Sequence, residues 1–251
     1  MGSRAGRFVV LALLVTASLR ASSQKQEFSD FTIPMPICPG ETLVIGIVGG
    51  WERWDAEDRC IRRTALELRE RKLPGVHIET VENHKLELAF HLIHAAFDFD
   101  LDGTLDAAEK RQVRLVAFGQ SFGGPATVRL ARELDGMGIP LELAVLIDSV
   151  GWHDEVIPPN VRAAANLFQH DGLLGFIGLM GEDEIRAADP SRTEIIGNFR
   201  YSYKNSPVKS RDTWVRRFFI PGHSKMEYDP AVWNRVKCLV EQAVDGRDWG
   251  V

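Results

Sequence analysis

The 251-residue chain is expected to fold as an α/β protein, a mainly parallel sheet flanked by helices with a lid insertion. Three observations predict this. Short apolar runs rich in β-branched residues alternate with segments of helical period, the pattern of βαβ units. Capping residues stand at the ends of the helical segments. Hydrophobic residues make up 45% and charged residues 26%, the balance of a single domain with a sizeable core.

The elements follow in order. Residues 24–41 are polar and Pro-rich, a lead-in. "TLVIGIVGGW" (42–51) reads as a buried strand ending in a tight loop at paired glycines. "DRCIRRTALELRERK" has helical spacing of Ile61, Ala65, Leu66 and Leu68, and "GVHIETV" reads as the second strand. "ENHKLELAFHLIHAAF" returns to helical period, with Leu86, Phe90, Ile93 and Phe97 on one side. "VRLVAFG" is a third strand. "PATVRLARELDGMG" is a helix with Pro near its start and Gly136 just past its end, and "LELAVLID" is a fourth strand. Residues 151–192 are less regular: "NVRAAANLFQ" reads as helix, "DGLLGFIGLMG" is Gly-rich and apolar, and the region is expected to be a lid or cap. "RTEIIGNF" and "VRRFFIPG" are late strand candidates, and "PAVWNRVKCLVEQAV" is a C-terminal helix.

The first residues have the three parts of a secretory signal peptide: basic "MGSRAGR", apolar "FVVLALLVTA", and small residues before a cleavage point. The apolar part is too short to span a bilayer. Cleavage is expected after Ser23, with Ala17 as the alternative. That leaves residues 24–251 as the mature domain, exported to the periplasm or medium and without a stable membrane anchor. A net charge of −5, with basic residues dispersed, argues against nucleic acid as a partner. Export permits a disulfide, but three cysteines (Cys38, Cys60, Cys238) leave at least one thiol outside any intrachain pair. Cys38–Cys60 is one possible pairing. The sequence leaves the oligomeric state open.

"GQSFGG" fits G-x-S-x-G between a strand and a helix, the turn that lifts a nucleophilic serine, Ser121, clear of a sheet. The helix that follows aims N–H groups and a positive dipole end at the site. A serine needs a base, and the base needs an orienting acid. His223 follows the last apolar strand candidate and is the expected base, ahead of His153 and His170 in the lid region. Asp148 ends the strand after the elbow helix and is the expected acid, ahead of Asp154, Asp183, Asp189 and Asp212. The oxyanion hole is assigned to the N–H of Phe122 and that of Gly50 or Trp51. Trp51 and Trp54 are candidates for an acyl pocket or for core packing. His84, His91 and His94 share a helix but have no third convergent ligand, and read as surface or packed residues.

"GQSFGGPATVRLARELDGMGIPLELAVLIDS" resembles the α/β-hydrolase superfamily, in particular its thioesterase-domain branch. The resemblance implies the α/β-hydrolase fold, with Ser121 as nucleophile, Asp148 as acid and His223 as base. Gln120 stands where that branch usually has histidine. "DSVGWHDEVIPPNVRAAANLFQ" and "RTEIIGN" resemble exported bacterial hydrolases of undefined substrate.

"DFDLDGTLDAAE" (98–109) matches a twelve-residue calcium loop and resembles the EF-hand family locally. Asp98, Asp100, Asp102, Thr104 (through its carbonyl), Asp106 and Glu109 hold the ligand positions, and Gly103 allows the sharp turn. No second loop exists to pair with it, so a structural Ca²⁺ site is expected, and no organic cofactor. Together these features predict an exported serine hydrolase acting on a small-molecule carboxylic ester or thioester. Two alternatives are a non-catalytic, calcium-dependent binding protein on the same scaffold, and an amidase or peptidase with the same triad.

Overall fold

The computed structural model describes residues 25–171, 184–212 and 221–249. The expected signal peptide and most of "DGLLGFIGLMG" and of "VRRFFIPG" lie outside these residues.

The strands are β1 (Thr42–Val48), β2 (Val76–Glu82), β3 (Leu115–Gln120), β4 (Leu141–Ile147), β5 (Val156–Ile157), β6 (Val161–Gln169), β7 (Arg186–Ala187) and β8 (Glu194–Tyr201). The helices are α1 (Cys60–Glu70), α2 (Leu86–Phe97), α3 (Ala107–Gln112), α4 (Gly123–Gly136), α5 (Pro221–Met226) and α6 (Pro230–Asp245). Six strands pair in the order β2-β1-β3-β4-β6-β8, and every pairing is parallel. β5 and β7 form a small parallel pair of their own.

Two apolar layers hold the sheet between its helices. Leu43, Ile45, Ile47, Leu115 and Ala117 share one core with the buried faces of α2 and α4. Val44, Val48, Val116 and Phe118 face the other way and pack with α1 and α6. The alternation follows from side chains pointing to opposite faces along a strand. Both faces are buried, so the strands read as continuous apolar runs.

Between β4 and β8 the structure corrects the sequence reading. The composition of "NVRAAANLFQ" predicts a helix, part of a lid over 151–192. Its residues 161–169 instead form β6, paired with β4 and β8 inside the main sheet. Three alanines favour helix locally, but here Ala163, Ala164 and Ala165 are fully buried between neighbouring strands. Tertiary packing overrides the propensity. The remaining described residues of that region include β5, β7 and connecting turns. Cys38, Cys60 and Cys238 are all free; Cys60 is fully buried, and burial pushes its thiol pKa well up.

Candidate active site

The C-terminal edge of the sheet gathers the predicted residues. β3 runs straight into Ser121, whose φ of +57° is in the left-handed region. A non-glycine residue held there costs roughly 1–3 kcal/mol, a strain found at functional turns. The flanking glycines are required by contact. A Cβ on Gly119 would lie 2.5 Å from Thr127 Oγ1 and overlap the Gly123 carbonyl, and one on Gly123 would overlap the Ile47 carbonyl. The turn is tied to β4, because Ser121 N–H donates to Ile147 O at 3.0 Å and Val150 N–H donates to Ser121 O at 3.1 Å. α4 begins two residues later, so its N-terminus faces the serine.

Asp148 leaves β4 beside this turn, fully buried, with φ +44°. His223 Nδ1 lies 2.7 Å from Asp148 Oδ2. A carboxylate only accepts, so Nδ1 carries a proton and donates, and in the neutral ring Nε2 then holds the lone pair. The sequence predicts a loop at His223. The residue lies instead in the short helix α5 and is 1% exposed. Helix α5 is held from below by Ser224, whose hydroxyl donates to Asp212 Oδ2 at 2.7 Å.

Two glutamines complete the constellation. Gln120 Nε2 is 3.3 Å from His223 Nε2 and can donate to its lone pair. Among the described residues that nitrogen faces Gln120 rather than the Ser121 hydroxyl. Gln169 Nε2 donates to Asp148 Oδ1 and Oδ2 at 3.1 and 3.2 Å, fixing the carboxylate plane. Its own Oε1 accepts Asp171 N–H at 2.6 Å. Sequence reasoning marks Gln120 only as a departure from a pattern and misses Gln169. The signal that could find it is strand register: Ile147 pairs with Leu167, which puts the end of β6 against Asp148.

The loop after β1 supplies the other side. Asn83 Nδ2 donates to Val48 O and Gly50 O, pinning the backbone at Gly50 and Trp51. The N–H groups of Phe122, Gly50 and Trp51 meet no backbone acceptor among the described residues. Arg59 ties this side to α5. Its guanidinium is 3.1 Å from Asp212, 2.9 Å from Glu227 and 3.6 Å from Glu52. Burial works against its charge, but the Glu227 and Glu52 carboxylates outweigh it and raise its pKa above the usual arginine range. Trp54 is buried and Trp51 is exposed. His153, also at positive φ, is exposed. Asp154 accepts from the Ser149 hydroxyl, and Asp189 caps its own turn through Ser191.

The acidic loop lies at the opposite end of β3, between α2 and α3. Carboxylate oxygens of Asp98, Asp100 and Asp102 lie within 4.8 Å of one another. Asp98 is buried and accepts from Asp102 N–H and Gly103 N–H at 3.1 and 2.9 Å. Gly103 has φ +85°, with no atom within 4 Å of the place a Cβ would take, and Leu105 is anchored in the core. The Asp102 N–H lowers the Asp100 pKa, but desolvation and the carboxylates of Asp102, Glu109 and Asp98 raise it further, so the group ends above its ordinary value. Glu109 and Asp106 are not part of this trio. Glu109 accepts Phe99 N–H and Asp106 N–H at 2.8 and 2.9 Å, and Asp106 caps α3. Three converging carboxylates fit a hard cation.

No family model and no curated protein matches the chain. Among solved structures, a dienelactone hydrolase from Anabaena variabilis is similar at 13% identity and a TM-score of 0.40, covering 85% of this chain and 89% of that one. An esterase/lipase from an uncultured bacterium is similar at 11% identity and a TM-score of 0.43, covering 94% of this chain and 98% of that one. What this edge of the sheet can do therefore rests on its own geometry.

Proposed function

We propose that the chain is an exported serine hydrolase that cleaves a carboxylic ester or thioester through an acyl-enzyme. The observation that carries this is the buried His223–Asp148 pair at 2.7 Å, set at the same sheet edge as a serine held at positive φ. Ser121 Oγ attacks the carbonyl carbon as its proton passes to His223 Nε2, Gln120 having moved aside. The oxyanion takes hydrogen bonds from Phe122 N–H and from Gly50 or Trp51 N–H. His223 then protonates the leaving oxygen or sulfur, the alcohol or thiol departs, and a water activated by His223 releases the acid. Asp148 accepts from Nδ1 and steadies the imidazolium, while Gln169 holds it in register.

The test uses purified protein with p-nitrophenyl esters of graded chain length and with acyl-CoA. Turnover is expected with the esters, and Ser121→Ala should abolish it. Turnover that survives this substitution contradicts the reading.

Calcium belongs to the same proposal as a structural ion. Asp98, Asp100 and Asp102 would hold it, with Glu109, Asp106 and the Thr104 carbonyl as the remaining donors of the loop. It would supply only charge neutralisation, stiffening the connection from α2 into the nucleophile strand. With Kd on the order of 10⁻⁴–10⁻³ M, as in extracellular modules, millimolar calcium stabilises by about 1 kcal/mol, or about 2–4 °C in Tm. Chelation should lower Tm by that amount, and Asp98→Ala should remove the calcium dependence. Equal melting with and without calcium contradicts the assignment.

A further inference from the structure

Two of the five exposed large hydrophobic side chains among the described residues are tryptophans, Trp51 at 49% and Trp152 at 57% exposure. The other three, Phe28, Leu101 and Met137, lie on the N-terminal turn, the acidic loop and the end of α4. Trp51 follows β1 and Trp152 follows β4, and in the sheet these strands lie on either side of β3, which carries Ser121.

The backbone brings both close to the serine. A Cβ on Gly49 would stand 3.0 Å from Ser121 Cβ, and Trp51 is two residues further on. Val150 N–H is bonded to Ser121 O at 3.1 Å, and Trp152 is two residues beyond it. Two residues of chain span at most about 7 Å, so each tryptophan Cα lies within roughly 12 Å of an atom of the serine. Both loops are braced. Asn83 pins Gly50, and the Trp51 ring leans on His84 with centroids 5.4 Å apart. Gly151 lies so close to Pro125 of α4 that a Cβ there would be 2.7 Å from the proline ring, and the Ser149 hydroxyl donates to Asp154. Loops held by such contacts place large apolar rings in water, available to a ligand.

We propose that Trp51 and Trp152 are specificity residues that receive a flat, apolar group in the acyl part of the substrate, an aromatic ring above all. This rests on the serine-hydrolase reading. An indole offers a face or edge to such a ring, and burying apolar area beside the nucleophile favours acylation of substrates that carry it. Water and small acyl groups gain nothing from the two side chains.

The test compares methyl 3-phenylpropanoate with methyl propanoate, whose ester carbonyls are equally reactive. Trp152→Ala is expected to lower kcat/KM for the phenyl ester about tenfold, mainly through KM, and to change the propanoate less than about twofold, and Trp51→Ala to raise KM for the phenyl ester more than for the propanoate. Equal losses on both esters, or no loss on either, overturn the proposal. A second measurement separates it from the hydrolase reading: equilibrium dialysis of methyl 3-phenylpropanoate against Ser121→Ala protein. Binding that falls about tenfold or more when both tryptophans are also replaced by alanine supports the proposal even if the native chain turns over no ester. Undiminished binding overturns it.

Discussion

Asp148→Asn is expected to lower kcat about ten-thousandfold with little change in KM, read by initial rates on a p-nitrophenyl ester. The reason lies in hydrogen-bond direction. Asp148 accepts from His223 Nδ1 and from the Gln169 amide. An asparagine has one oxygen for these two donors, and its NH₂ would turn toward one of them. If it faces His223, Nδ1 must become the acceptor and the proton moves to Nε2. The base then points an N–H at Ser121 and cannot take the serine proton. The fold should survive, because side-chain volume is kept and the position is held by the Asp148 N–H bond to Leu167 O. An unchanged melting temperature beside the lost rate is therefore part of the expected result.

The second large effect concerns stability. Gly119→Ala should destabilise by about 3 kcal/mol or more and abolish activity, measured by urea denaturation. The added methyl would overlap the Gly123 carbonyl and lie 2.5 Å from Thr127 Oγ1. Gly123 is backbone at the start of α4, and Thr127 is already bonded to the Gly123 carbonyl at 2.8 Å. Neither can move without shifting the helix off the sheet. Gly136→Ala is the matched control. Nothing lies within 4 Å of its Cβ position at the end of the same helix. There alanine should be neutral or stabilising, by up to about 1 kcal/mol, since it only restricts the unfolded chain.

Much of this is legible in the sequence because the physics is local. The apolar runs at 42–48, 115–120 and 141–147 form β1, β3 and β4, and the helical period marks α4, which runs through Gly136 to a cap at Met137. The serine turn and the acidic loop carry fixed spacings, so both stand out along the chain. Asp148 can be chosen from a strand end and His223 from its place late in the chain, and the structure brings the two together at 2.7 Å, with His223 on a short helix rather than a loop. The rest depends on register and packing. β6 hides behind an alanine run whose helix preference is overruled by strands on both sides. Gln169 gains its meaning only when β6 lies beside β4. Gln120 shows its contact with His223 only once α5 is folded over the elbow. Glu109 satisfies the spacing of a calcium ligand, and its carboxylate also accepts from loop N–H groups, which spacing cannot reveal.

The central claim is that Ser121 is a nucleophile activated by His223 and Asp148. Its most direct test is reaction of the native protein with a fluorophosphonate, followed by peptide mass mapping. A single covalent adduct on Ser121 is expected, formed on the native chain and absent from Ser121→Ala and His223→Ala. No adduct on folded native protein, or an adduct on another residue that persists in Ser121→Ala, would contradict it.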